Sequence, residues 1–370
     1  MNSDLNLASA SDLHLGHRRN PVSMMIQNLG KPFSDNAEFA SLDVLFLAGD
    51  VFDDLLVSNG DDLREIDFWI SDLLRLCKKH DVMLRILEGT GSHDWQQSRR
   101  FETLNTISGA HADVLYVKTL HIENIKGYNV LYVPDEWHPS TDVTLVQVKE
   151  LIRAKGLTSV DIAIMHGQFD HQLPPAAPAS IPRHNGDEYL KLVKRFISIG
   201  HVHVRSRREH IFAQGSFDRM SHGEEGKKGY VRATLRANGR DEFRFVDNDG
   251  ALEFVTVHCG ELSLEETIEK IDREVEKLQA GAHVRVVGEY TNPIFANMDA
   301  LIRRHPLFNW SKNPSDASEE KEIIIENETL FDPIAITRDN IQSLLLERMA
   351  GKGTRAEVLD LASSIIERIC

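Results

Sequence analysis

Val82-Met83-Leu84-Arg85-Ile86-Leu87 runs straight into Glu88-Gly89-Thr90-Gly91-Ser92-His93-Asp94, and the reading of the whole chain turns on that junction. An apolar run closed by a glycine-punctuated turn predicts a buried strand. The His-Asp pair past its end stands where α/β folds place their chemistry, beyond the carboxyl ends of the strands. His93 is therefore the first candidate reactive group. A lone loop histidine is common, so its weight depends on what the other strand ends carry.

They carry the same kinds of residue. Leu5 to Ala10 predicts a strand ending in Ser11-Asp12-Leu13-His14, where the Asp-x-His spacing turns two side chains to one side of an extended segment. Val44 to Ala48 predicts a second strand, ending in Gly49-Asp50-Val51-Phe52-Asp53-Asp54. Asp54 reads as the cap of a turn or helix after it. Asp161 to Met165 leads to His166-Gly167, and Arg195 to Ile199 leads to Gly200-His201-Val202-His203.

Between these strands, Asp61 to His80 has the apolar stripe of a covering helix, and Ser98 to Ile107 and Thr141 to Lys155 also predict helices. Val114 to Val117 and Val130 to Val133 have hairpin-like spacing. The prolines of Gln172 to Arg183 mark an irregular loop. A polar loop, Gly215 to Glu224, precedes strand-like runs at Tyr230 to Leu235, Glu242 to Val246 and Leu252 to Val257, which continue the β-structure of the main domain.

A boundary is expected at 258, giving a main domain over 1–258, a small α+β cap over 259–312 and a linker with C-terminal helices over 313–370. Ser263 and Glu266 form a capping box for the cap's first helix, followed by a strand at Val284 to Val287 and a helix from Pro293 to Arg304. Ser311 to Glu322 reads as a solvated linker. Two helical patterns, Arg338 to Ala350 and Arg355 to Ile369, dock either on the cap or on a partner.

Composition limits the classes of function. Lys+Arg 42 against Asp+Glu 57 in 370 residues gives a net charge of −15, which argues against a uniformly basic protein that coats nucleic acid. Residues 251–370 carry 13 basic and 22 acidic side chains, so most of the imbalance lies away from the strand ends. Cys77, Cys259 and Cys370 show no metal or redox spacing, as expected in a reducing compartment. With no leader-like N-terminus and no long apolar run, the expectation is a cytoplasmic protein without a membrane span.

Asp-x-His, Gly-Asp-x-x-Asp, Gly-x-His-Asp, a lone His-Gly and Gly-His-x-His, in that order and each after a strand, resemble the calcineurin-like metallophosphoesterase superfamily. Within it the chain is most similar to the SbcD type of DNA repair nuclease. Asp12-Leu-His14-Leu-Gly16, Gly49-Asp-Val-Phe-Asp53 and Gly215-Ser-Phe-Asp-Arg219-Met-Ser221-His-Gly223-Glu224 carry that similarity. The resemblance implies an α/β fold, a β-sandwich flanked by helices with a cap, and two divalent ions, manganese with magnesium as the alternative. The first ion would take Asp12, His14 and His203; Asp50 would bridge; the second would take His166 and His201. His93 would be the general acid or transition-state stabiliser, oriented by the carboxylate of Asp53. At the place of the family's second-metal Asn stands Ser92, whose hydroxyl is the poorer ligand.

Arg18, Arg19, Arg99, Arg100, Arg205, Arg207 and Arg208 each follow a metal loop within ten residues, a basic rim suited to a phosphate backbone. Ser221 is grouped with them as a DNA contact. The partners implied are DNA, an SbcC-like coiled-coil ATPase for the last two helices, and a second copy in a homodimer. The expected activity is metal-dependent DNA cleavage as the nuclease subunit of an SbcCD-like repair complex. Its rivals are a phosphodiesterase of small nucleotides and a non-catalytic DNA-binding scaffold.

Overall fold

A computed structural model describes residues 3–315 apart from 57–59, 136–139, 175, 176 and 179. The two helices expected at 338–350 and 355–369 lie outside the described residues. Everything described belongs to one compact unit, Met1–Glu319.

Two six-stranded sheets make the body of the molecule. The first contains β1 (Leu5–Ala10), β2 (Val44–Ala48), β3 (Met83–Leu87), β4 (Val114–Val117), β11 (Gly229–Leu235) and β12 (Glu242–Asp247), in the order β12-β11-β1-β2-β3-β4. The second contains β5 (His121–Ile125), β6 (Tyr128–Val133), β7 (Val160–Gly167), β8 (Val193–His201), β9 (Ser206–Arg208) and β10 (Ile211–Ala213), in the order β5-β6-β7-β8-β10-β9. β1 to β4 are mutually parallel, and so are β6, β7 and β8. Their carboxyl ends are where the predicted site residues sit.

The strands read as unbroken apolar runs because both of their faces are buried. Alternate residues go to opposite sides: Val44, Phe46 and Ala48 join a core shared with Tyr128, Val130, Tyr132, Ile162, Ile164 and Phe196 of the second sheet. Leu45 and Leu47 turn the other way, onto residues of α1 (Val22–Leu29) and α3 (Asp61–His80) and onto Phe39 of α2 (Ala37–Ala40). On the far side of the second sheet, Leu131, Val133, Ala163, Met165, Ile197 and Ile199 pack with Val148 and Ile152 of α5 (Thr141–Ala154) and Tyr189 of α6 (Gly186–Leu192). The result is a mixed α/β architecture in which two sheets share one core and helices cover them. Burying each large apolar side chain there stabilises the fold by roughly 1.5–3 kcal/mol, so the strand ends rest on a stiff platform.

Three expectations change. Val114–Val117 and Val130–Val133 do not pair: the first lies beside β3, and the hairpin is formed by β5 and β6 around Lys126-Gly127, both at positive φ. β5 escapes a reading by apolar runs because His121, Glu123 and Asn124 leave it only two deeply buried residues. Second, the strand expected at Leu252 to Val257 does not extend the main sheets. As β13 (Phe254–His258) it pairs with β14 (His283–Glu289) in a separate parallel sheet. Third, Ser311 opens no linker, since β15 (Asn309–Ser315) continues that sheet, with Trp310 packed on its core. The capping box is present, with Ser263 Oγ accepting from Glu266 N–H at the start of α7 (Leu264–Val275). The helix expected over 293–304 is a short 3₁₀ turn, Pro293–Ala296, followed by α8 (Met298–Arg304). α4 (Arg100–Ile107) begins after a 3₁₀ turn at Gln97–Arg99.

Candidate metal centre

The ends of β1, β2, β3, β7 and β8 converge, and the chain is contorted to let them. Asp12, His14, Asp50 and His201 all have positive φ (51°, 48°, 49° and 99°), a conformation that costs non-glycine residues energy and gathers at functional sites. Two glycines make the approach feasible. A Cβ on Gly49 would stand 2.2 Å from His166 Nδ1, and one on Gly89 2.1 Å from Asp50 N. Asp94, fully buried, ties two of the loops together by accepting from the backbone N–H groups of Asp50, Phe52 and Gly89. Burial, with Asp50 and Glu88 nearby, pushes its carboxyl up to about 8.

Three groups of side chains result, each with one ligand atom per residue and all such atoms within 4.8 Å of one another: Asp12, His14 and His203; His14, Asp53 and His93; Asp50, His166 and His201. In the first, His14 Nε2 and His203 Nε2 are 3.0 Å apart, and His203 Nε2 is 4.0 Å from Asp12 Oδ1. The other nitrogen of each ring is held from behind, His14 Nδ1 by Asp53 Oδ1 at 3.0 Å and His203 Nδ1 by Glu224 Oε1 at 3.1 Å. In the third group His166 Nδ1 lies 2.8 Å from the Ala48 carbonyl and must donate to it, which leaves Nε2, 3.2 Å from Asp50 Oδ2, as the ligating atom. Imidazoles whose far nitrogens are fixed by carboxylates or carbonyls are the usual metal-ligand arrangement.

The electrostatics agree with that chemistry. Burial works against protonation of His14, yet its hydrogen bond to Asp53 and the charges of Asp50 and Asp12 raise it to about 9. His166 is raised well above its ordinary value, against burial, chiefly by Asp50. Burial likewise opposes the charge on Asp50, while His166, His14 and His93 hold its carboxyl well below the usual range. Crowded carboxylates thus select for positive charge between the rings, and buried oxygen and imidazole donors of this kind fit a divalent cation.

Asp12, His14, Asp50, His166, His201 and His203 are therefore brought together as expected. His93 lies beside them, its ring centroid 4.9 Å from that of His14. Its link to Asp53 differs from the expected one. His93 Nδ1 is 2.6 Å from the backbone carbonyl of Asp53, because the carboxylate of that residue is directed to His14. Ser92 is not in the cluster. The Thr90 carbonyl accepts from His93 N–H and Asp94 N–H, so the chain turns at Thr90, and Ser92 is carried outward to an exposed position. Its carbonyl accepts from Trp95 Nε1.

Sequence reasoning passed over four residues. The Thr90 hydroxyl touches the third group, and the charge of Asp135 helps to raise His166. The available signal was position alone, each following a strand. Glu224 and Lys228 back His203: Lys228, almost wholly buried, donates to the His203 carbonyl, to Ser216 Oγ and to Glu224. Ser221, expected at DNA, instead donates to Glu224 Oε1 and braces the same loop.

The arginines divide. Arg100 makes a bidentate pair with Asp67, Arg205 pairs with Asp247 and lies over the Phe245 ring, and Arg208 pairs with Asp187. Arg207 is exposed and lies over Phe212. Arg18 and Arg99 are exposed, and the Arg19 backbone carbonyl accepts from His283 Nε2. No described helix is long and apolar enough to cross a membrane.

No family model matches the sequence, and no curated protein matches it. Among solved structures, TT1561 of Thermus thermophilus is similar at 11% identity and a TM-score of 0.35, covering 66% of this chain and 99% of that one. A second solved chain is similar at 12% identity and a TM-score of 0.37, with 66% of this chain and 100% of the other covered.

Proposed function

We propose that the chain is a two-metal phosphodiesterase of the calcineurin-like metallophosphoesterase superfamily, of the SbcD type, and that it cleaves DNA as the nuclease subunit of a complex with an SbcC-like ATPase. The supporting observation is the meeting of two imidazole–carboxylate groups, Asp12/His14/His203 and Asp50/His166/His201, at the ends of strands from two sheets, with His93 packed on His14. On this reading the paired sheets are the superfamily's sandwich. Divalent ions held there, manganese or magnesium, supply an activated water and neutralise charge on the phosphate. Asp12, His14 and His203 hold one ion; Asp50, His166 and His201 hold the other. His93, whose Nδ1–H donates to the Asp53 carbonyl, would in its doubly protonated form give the Nε2 proton to the leaving oxygen and be left as the neutral ring.

The purified chain with Mn²⁺ is to be assayed on plasmid and hairpin DNA and on bis-p-nitrophenyl phosphate. Cleavage of both polymers is expected; turnover of the small ester alone overturns the nuclease reading. Loss of turnover in His93→Ala with metal still bound rejects a non-catalytic scaffold. One observation favours the small-phosphodiester rival: Arg100, Arg205 and Arg208 already have carboxylate partners, so the basic rim is thinner than its charges suggest.

A further inference from the structure

The second group, Asp50, His166 and His201, contains a side chain that the motif does not name. Thr90 Oγ1 lies 3.2 Å from Asp50 Oδ2, 3.4 Å from His166 Nε2 and 3.3 Å from His201 Nδ1, within reach of all three. Its backbone is anchored at that place. Its backbone N–H donates to Asp50 Oδ1 at 2.6 Å, and its carbonyl accepts from two following N–H groups.

A hydroxyl has one hydrogen and two lone pairs. In the neutral ring His166 Nε2 is an acceptor, because Nδ1 donates to Ala48, and Asp50 is an acceptor with both oxygens. The single Thr90 hydrogen cannot serve Asp50 and His166 together. A cation at the meeting point would be met by lone pairs from both and from the hydroxyl oxygen.

We propose that Thr90 is the hydroxyl ligand of the second ion, in the place where the superfamily's motif puts an asparagine. Ser92, exposed on the outside of the turn, has no part in the site. The inference rests on the two-metal reading above. It makes the second subsite one carboxylate, two imidazoles and a hydroxyl, a mixed oxygen and nitrogen set of the kind Mn²⁺ accepts.

The test is Mn²⁺ titration of the full chain by calorimetry, with electron paramagnetic resonance to distinguish a coupled manganese pair from an isolated ion. The parent is expected to bind two ions and to show the coupled spectrum. Thr90→Val, which keeps the shape and removes the oxygen, is expected to weaken the second ion by about 10–100-fold and to leave the isolated-ion signal. Thr90→Ser should restore both. Ser92→Ala should bind as the parent does. Two ions held at parent affinity in Thr90→Val, or loss of the second ion in Ser92→Ala, overturns the proposal and leaves the two-metal reading standing. A parent chain that binds no Mn²⁺ overturns that reading and this one with it.

Discussion

Asp53 serves two neighbours with two different atoms: its carboxylate holds His14 Nδ1 at 3.0 Å and its backbone carbonyl holds His93 Nδ1 at 2.6 Å. The roles can therefore be separated by substitution. Asp53→Asn keeps the carbonyl and removes the charge, so His14 becomes a less basic ligand while His93 stays in place. Metal affinity at the His14 subsite should fall by about 10–100-fold, the usual cost of losing such a support. At saturating metal, most of the turnover should return. If turnover stays abolished although titration shows the metal bound, Asp53 acts on His93 by more than its carbonyl.

The contrast with a motif-based reading shows what was legible and why. Strands such as Val44–Ala48 announce themselves because two cores sandwich them, and the polar residues after them stand out against the apolar run. Asp12, His14, Asp50, His166, His201 and His203 are found in that way. Which atom of Asp53 faces which histidine is a matter of backbone path and leaves no mark on residue order. Thr90 reads as a turn residue among glycines until Asp50, 40 positions earlier, is seen to bond its N–H and hydroxyl. β15 is missed because polar Ser311, Lys312 and Asn313 lie on a strand supported by its neighbour and not by apolar alternation.

Arg85 is the same lesson in the core. It sits inside an apolar strand with only 4% of its surface exposed, bonded to Glu123 through Nε and Nη2 and to Asp113 through Nη1, while Tyr132 donates to Glu123. This joins β3 of one sheet to β5 of the other. Arg85→Met leaves Glu123 charged and without its cation, so unfolding by urea should show a loss of about 3 kcal/mol. Adding Glu123→Gln should recover at least half of it. No recovery in the double variant means that the pair contributes through packing alone.

Acid should weaken the fold through His184. It is buried beside Phe169 and Tyr189, and burial lowers it to about 4. An unfolded histidine titrates near ~6.5. Between these values the unfolded chain binds a proton that the folded chain refuses. The stability is fully present above the unfolded value and is lost as pH falls toward the folded one. Between pH 7.5 and 5 this one group should remove about 2 kcal/mol. His184→Phe should flatten the pH dependence of the urea midpoint by that amount. Parallel pH profiles for parent and variant would show that His184 is protonated within the fold.

The arginines offer a prediction that separates charge from availability. Each phosphate contact contributes about 0.9 to the slope of log affinity against log salt. A residue already paired within the protein contributes less, since binding DNA must first break or share its pair. Arg18 and Arg99 are exposed and make no ion pair with described residues, whereas Arg100 and Arg208 are tied to Asp67 and Asp187. Arg18→Gln with Arg99→Gln should therefore lower the salt slope of DNA binding by about 2. Arg100→Gln with Arg208→Gln should leave the slope within about 0.5 of the parent and show its effect in the unfolding midpoint. Fluorescence anisotropy with a labelled hairpin at a series of salt concentrations reads both. Equal changes of slope in the two variants would mean that the ion pairs open on binding, and an unchanged slope in both would place the backbone on another face of the protein.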